Sequence, residues 1–192
     1  MSSADSAQTH AQIENSLMIL VDVQGRLAEL MHESEIMLRQ QALLIKALQV
    51  LNVPIVWAEQ VPHKLGPTVS SLAELLADQQ PIAKETFGCC QAPDLWAAIE
   101  TSGAQHIILA GIETHVCVWQ TAATLLRSGR QVHVIEDAIS SREADNKRIG
   151  LKRMYQAGAL ASSVEMLLFE LMGSADHPHF RTISRLIKEA TV

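Results

Sequence analysis

An α/β fold built around a parallel sheet is predicted by three observations on this chain. Short β-rich runs alternate with amphipathic segments along its length, the rhythm that gives a sheet with helices on both faces. The first of those runs, 17–23, is almost continuously apolar, as a strand buried on both faces must be. A length of 192 residues at 48% hydrophobic content suffices for one domain with a substantial core and no structural disulfide or metal.

Each element has its own signal. Residues 1–15 are polar, rich in Ser, Ala and Gln, and lack the basic start and apolar stretch of a signal peptide, so they read as a flexible arm before a single domain over 16–192. The strand at 17–23 carries Asp22 at its end. A helix follows from 34, with Met37, Leu38, Leu44, Ile45, Leu48 and Leu51 near helical spacing, and Asn52 and Pro54 stop it. A second strand spans 53–58. Ser71 and Glu74 fit a capping box ahead of Leu72, Leu75 and Leu76, so a short helix precedes a third strand at 81–84. Pro93 suits a first helical position and Gly103 a C-terminal stop, framing a helix over 94–102. The fourth strand, 106–110, leads into a helix over 114–128 closed by Gly129. A fifth strand at 131–135 precedes a helix opened by Ser140 and Glu143, running to 157 and closed by Gly158. A short sixth strand at 159–161 precedes a helix opened by Ser162 and Glu165. In the tail, Ile183, Leu186 and Ile187 mark one more helix, docked on the body or on a partner subunit.

Composition narrows the function classes. The formal charge of −6 comes without a long basic run, so nothing offers the electrostatic footprint of a phosphate-backbone binder, and nucleic acid is not an expected partner. No apolar run approaches the roughly 20 residues that span a bilayer, so no membrane partner is expected either. Three cysteines, two of them adjacent as Cys89 and Cys90, form neither a paired framework nor a CxxC motif. A soluble protein of the reducing cytoplasm is expected.

Segment 109–118 is the most informative stretch, because it carries an apolar strand through Gly111 and sets Cys117 at the start of a helix. A helix N-terminus supplies partial positive charge and free N–H groups, which favour a thiolate and can bind a developing oxyanion. In an open parallel sheet, ligands bind outside the carboxyl ends of the strands, where residues distant in sequence converge. Asp22 ends the first strand, Lys84 ends the third, and Cys117 follows the fourth. Taken singly, each has a structural role open to it: helix cap, solvated charge and small buried hydrophobe.

Leu20-Val21-Asp22-Val23-Gln24, Ala83-Lys84-Glu85-Thr86-Phe87 and Gly111-Ile112-Glu113-Thr114-His115-Val116-Cys117-Val118 resemble the isochorismatase-like cysteine hydrolases, over nearly the whole chain. That group includes nicotinamidases, N-carbamoylsarcosine amidases and ureidoacrylate amidases. Ala58-Glu59-Gln60, Leu65-Gly66-Pro67-Thr68-Val69 and Asp137-Ala138-Ile139-Ser140-Ser141-Arg142 are similar to its isochorismatase domain-containing subgroup. The resemblance implies a three-layer α/β/α Rossmann-like fold with a central six-stranded parallel sheet. It makes Cys117 the nucleophile, Asp22 the base that takes its proton, and Lys84 the cation that supports both. A neighbouring Lys and a helix N-terminus are expected to lower the thiol pKa from its usual 8.5 or so. The implied reaction is hydrolysis of a C–N bond in a small amide or carbamoyl-type substrate through a thioester. Isochorismatase-type vinyl ether cleavage and a catalytically silent binding protein are the alternatives. The resemblance further implies a cis Ile112–Glu113 peptide, an oxyanion hole made by the backbone N–H groups of Glu113 and Cys117, and a homo-oligomer, dimer or tetramer.

No cofactor and no metal are expected. The nicotinamidase pattern has an Asp-x-His pair after the second strand, where this chain reads Glu59-Gln60-Val61-Pro62-His63; His63 is read as a surface residue, with an approach to the pocket open to it. His177 and His179 flank a proline and do not make a closed site. Gln24, Glu59, Gln60, Phe87 and Ile112 lie near strand ends as candidate pocket residues, with core packing open to Phe87 and a helix-cap role to Gln24. Cys89 and Cys90 read as packing residues.

Overall fold

The computed structural model of the chain describes residues 10–191. Of the arm expected over 1–15, residues 1–9 lie outside that range. Residues 10–15 are held to the body: Ala11 is buried and donates its N–H to the Glu170 carboxylate, and Ile13–Asn15 forms a 3₁₀ turn.

Strands β1 (Ser16–Val21), β2 (Ile55–Gln60), β3 (Ile82–Lys84), β4 (His106–Ile112), β5 (Gln131–Ser140) and β6 (Leu160–Ser162) form one parallel sheet in the order β3-β2-β1-β4-β5-β6. Its helices are α1 (Gly25–Glu29), α2 (Ser34–Val50), α3 (Pro62–Leu65), α4 (Ser70–Ala73), α5 (Pro93–Ser102), α6 (Trp119–Arg127), α7 (Ala144–Gln156), α8 (Val164–Met172) and α9 (Phe180–Thr191).

Strand period and helix period together produce three layers. β1 is buried at every position, and its side chains alternate between two cores. Leu17, Ile19 and Val21 pack with Leu95 and Ile99 of α5, Ala122 and Leu125 of α6, and Met154 of α7. Met18 and Leu20 pack with Leu44, Ile45 and Leu48 of α2 and with Leu167, Leu168 and Leu171 of α8. Each fully buried Leu or Ile contributes roughly 1.5–3 kcal/mol. α9 buries Ile183 in the second of these cores, so the tail helix docks on the body.

β1 lies where the strand order reverses, with β2 on one side and β4 on the other, so the crevice at its carboxyl end is the topological switch point. Gly111 makes that junction possible. It pairs with Val21 at φ 117°, and a Cβ there would lie 2.2 Å from the Val21 carbonyl oxygen.

Several boundaries differ from the sequence expectation, each for a local reason. β2 runs two residues past 58, which brings Glu59 and Gln60 into the sheet. β5 continues to Ser140 because a register shift lets Ile139 and Ser140 rejoin β4 beyond the polar Glu136 and Asp137. Ser140 therefore caps no helix; its hydroxyl donates to the His32 carbonyl, and α7 opens at Ala144. Ser71 lies inside α4 rather than capping it, and Ser163 instead of Ser162 caps α8 by accepting the Met166 N–H at 3.2 Å. The helix expected from 114 starts as a π-helical turn, Thr114–Val118, before α6 takes over.

Candidate active site

Asp22 follows directly on β1 and adopts φ 53°, a left-handed conformation that Asp tolerates better than most side chains. Its N–H donates to the Ala58 carbonyl at 3.1 Å, so the chain turns out of the sheet while still tied to β2. Lys84 closes β3, two strands away, and pairs in register with Gln60 of β2. The lysine stem is long enough to pass that neighbour and reach β1. Its Nζ donates to Asp22 Oδ2 at 2.7 Å, to Gln60 Oε1 at 2.7 Å, and to the Thr86 and Phe87 carbonyls at 3.1 and 3.0 Å.

Cys117 sits in the π-helical turn beyond β4, only 8% exposed. The Ile112–Glu113 peptide is cis, and the Glu113 carbonyl accepts the Val116 and Val118 N–H groups at 3.0 and 3.3 Å. Two further contacts hold the turn. Thr121 donates its hydroxyl to the Cys117 carbonyl at 2.8 Å and accepts the Cys89 N–H at 2.9 Å. On the other flank, Gly150 of α7 packs so closely that a Cβ would come within 3.0 Å of His115 Cα.

The electrostatics of the three groups are coupled. Burial raises the Asp22 pKa above its ordinary 3.8, against the neighbouring ammonium of Lys84, which lowers it. Burial also pushes the Cys117 thiol up, and the Asp22 charge pushes the same way against Lys84. The lowered thiol pKa expected from sequence is therefore not what the site produces. Desolvation outweighs Lys84 and favours the thiol over the thiolate at Cys117.

A cavity of about 130 Å³ opens on these groups, lined by Asp22, Leu27, Gln60, Leu65, Phe87, Ile112, Glu113, Val116 and Cys117. Of the expected pocket residues, Gln60, Phe87 and Ile112 are there, and Phe87 is 55% exposed at the rim rather than in the core. Gln24 and Glu59 are not. Gln24 accepts the Gln60 N–H at 2.6 Å and donates to the Gln60 and Gly66 carbonyls, stapling the end of β2 to the following loop. Glu59 accepts both the N–H and the hydroxyl of Thr68, at 2.6 and 2.8 Å. Buried polar groups beside a loop are consumed by the loop's own backbone.

Little in the sequence marks Leu27 of α1, Leu65 of α3 and Val116 as cavity lining, or Thr121 as a support of the turn. α1 and α3 are too short for apolar periodicity to register, and Thr121 lies one helical turn beyond Cys117, a spacing that invites a hydroxyl to carbonyl bond.

The other candidates stay apart. His63 is exposed on α3 and does not line the cavity. Cys89 is buried, Cys90 is partly so, and burial pushes both thiols up to about 12. His177 Nδ1 accepts the His179 N–H at 3.2 Å, and among the described residues no group of three or more His, Cys, Asp or Glu is arranged to hold a metal ion. The Glu113 carboxylate faces Arg142, which donates its N–H at 3.0 Å and closes an ion pair at 3.2 Å. No helix among the described residues is long and apolar enough to cross a membrane.

Residues 16–166, which contain every group of the site, match the isochorismatase domain family model. The chain belongs to the isochorismatase family of hydrolases. Among relatives, isochorismatase domain-containing protein 2 of Bos taurus is 36% identical over 176 residues, covering 91% of this chain and 84% of that protein. A solved structure named MAR1 ribonuclease, from Caenorhabditis elegans, is 36% identical with a TM-score of 0.88, over 93% of this chain and 92% of the other. An octameric hydrolase of unknown specificity, the YcaC gene product of Escherichia coli, shares the isochorismatase fold at 22% identity and a TM-score of 0.84, over 95% and 96% of the two chains. Relatives and fold together place this isochorismatase-family chain beside the isochorismatase domain-containing proteins.

Proposed function

We propose that this isochorismatase-family protein is a cysteine hydrolase that cleaves a C–N bond of a small amide or carbamoyl-type substrate through a thioester on Cys117. The observation that carries the reading is the position of Asp22: Oδ2 is held by Lys84 at 2.7 Å, Oδ1 is buried with no hydrogen-bond partner, and Asp22 and Cys117 line the same small recess. A carboxylate fixed by a buried cation has one orientation, so its remaining basicity is directed at the thiol.

In the proposed cycle Asp22 accepts the thiol proton as sulfur attacks the substrate carbonyl carbon. The carbonyl π electrons move to oxygen, where the backbone N–H groups of Glu113 and Cys117 stabilise the oxyanion. Asp22 returns the proton to the leaving nitrogen as the C–N bond breaks, leaving a thioester. Water then attacks the thioester with its proton passing to Asp22, and the thiolate leaves and is reprotonated from the same carboxyl. A resting thiol suits this cycle, because the proton needed by the leaving amine starts on sulfur.

The relative named a ribonuclease raises phosphodiester cleavage as another reading. The net charge of −6 and a cavity lined by carboxylates and apolar groups give a phosphate backbone nothing to bind. We further propose a homo-oligomer, a dimer or tetramer, supported by the octameric assembly of the YcaC neighbour and by the exposed apolar side chains Met166 and Phe169 of α8. Three free cysteines fit a reducing, cytoplasmic setting.

The test is incubation with a panel of small amides, ureido and N-carbamoyl compounds, followed by intact-protein mass spectrometry. An acyl adduct confined to Cys117, with turnover abolished in Cys117→Ala, is expected. Undiminished turnover in Cys117→Ala overturns the covalent reading.

A further inference from the structure

We propose that the acyl group taken by Cys117 is small, apolar and uncharged, so that carboxylate-bearing substrates are excluded. This rests on the reading of Cys117 as the acylated nucleophile, and it follows from how every charge around the cavity is already spent.

Of the nine residues that line the cavity, Leu27, Leu65, Phe87, Ile112 and Val116 are apolar and none is a cation. The nearest cation, Lys84, has its side chain wholly buried and donates to four oxygens, Asp22 Oδ2, Gln60 Oε1 and the Thr86 and Phe87 carbonyls. An ammonium has three N–H bonds, so no donor is left for a ligand. The second cation nearby, Arg142, is committed to Glu113 by its guanidinium as well as its backbone N–H. Gln60 is likewise engaged: its Oε1 faces Lys84 and its Nε2 donates to the Glu85 carbonyl at 2.8 Å.

The two charged lining residues are both carboxylates, Asp22 and Glu113. A substrate carboxylate entering this space would shed water against a largely apolar wall whose two charged residues already hold Lys84 and Arg142, leaving no cation among the lining residues to replace that water. A neutral alkyl or vinyl group loses nothing there and gains apolar contact. The volume sets the size: about 130 Å³ has room for roughly four water-sized groups, well under the range for drug-sized ligands. Leu65 and Phe87, 38% and 55% exposed, extend the apolar wall to the rim, where a longer neutral chain would lie.

The experiment compares two alkylating reagents of nearly equal size at Cys117, neutral iodoacetamide and anionic iodoacetate, with site-resolved mass spectrometry. Each forms an S–C bond and releases iodide, the thiol proton going to Asp22 or buffer. The same chain unfolded in urea gives the intrinsic rate ratio. In the folded protein the preference for iodoacetamide at Cys117 is expected to exceed that ratio by about tenfold or more. Leu65→Lys and Phe87→Lys, both at exposed rim positions, are expected to bring the preference back towards the unfolded value.

Equal ratios in folded and unfolded chain overturn the proposal, as does failure of both reagents to reach Cys117, or an unchanged preference in both folded lysine variants. The hydrolase reading fails separately: an intact neutral preference without any acyl adduct from the amide panel removes the reaction and leaves the selectivity standing.

Discussion

Lys84 Nζ stands 2.7 Å from Asp22 Oδ2, with the two side chains 0% and 3% exposed, and the lysine reaches this partner past Gln60. The pair thus ties together the carboxyl ends of three adjacent strands, β3, β2 and β1. Removing one member strands a buried charge. Lys84→Ala is expected to cost about 3–5 kcal/mol of stability and to lower turnover by at least about a hundredfold. The double variant Asp22→Leu with Lys84→Met is expected to recover most of that stability and none of the activity, because no lone charge remains buried. Urea denaturation and kcat/KM on the best amide separate the two effects; turnover in the double variant would take the pair out of the mechanism.

The threonine one turn beyond the nucleophile is the next point of control. Thr121 hydroxyl bridges the Cys89 N–H and the Cys117 carbonyl, and the residue is wholly buried. Thr121→Val keeps the shape and leaves the buried Cys89 N–H without its hydroxyl acceptor, at a cost of about 1–3 kcal/mol. Because Thr121 bonds the Cys117 backbone and does not itself line the cavity, its loss is expected to reduce kcat with little change in KM, and Thr121→Ser is expected to restore it. A KM effect of the same size as the kcat effect would move Thr121 into substrate binding.

Legibility in the sequence tracked how many independent constraints acted on a residue. Asp22, Lys84 and Cys117 each stand just at or beyond the end of an apolar run, and strand ends in a parallel sheet must converge, so their meeting follows from topology. Gln24 and Glu59 stand at strand ends too, but the loop at 66–68 claims their hydrogen bonds, and a loop's needs leave no periodic trace. Leu27 and Leu65 line the cavity from helices of five and four residues, below the length at which an amphipathic pattern can be read. The thiol pKa went the other way because burial is a property of the folded site, and a helix-start position in the sequence carries no measure of it.

Gly111 carries the close approach on which the site depends. Its φ of 117° and the 2.2 Å separation a Cβ would have from the Val21 oxygen are two separate objections to any side chain there. Gly111→Ala is expected to destabilise the protein by about 3 kcal/mol or more, through backbone strain and overpacking between β1 and β4. Gly103, with open space around it and helix-capping geometry, is expected to tolerate Ala at about 1 kcal/mol. Thermal or urea unfolding of both variants checks the contrast; equal losses would remove the steric account.

At the opposite end of the sheet, His106 and His133 form a buried pair with Nδ1 and Nε2 3.0 Å apart, which requires at least one ring to be neutral. Burial pushes His133 down to about 4, with His106 and His10 acting the same way, and burial also lowers His106 against the opposing charge of Glu170. Between pH 6.5 and about 4 the unfolded chain therefore binds more protons at these positions than the folded chain does, and stability rises with pH across that window. The contribution is fully present above pH 6.5 and is lost on acidification, on the order of 3 kcal/mol from His133. The urea midpoint is expected to fall between pH 7.5 and 4.5, and His133→Gln, which has no proton to gain, is expected to flatten that fall. A slope unchanged in the variant would assign the acid sensitivity to the carboxylates instead.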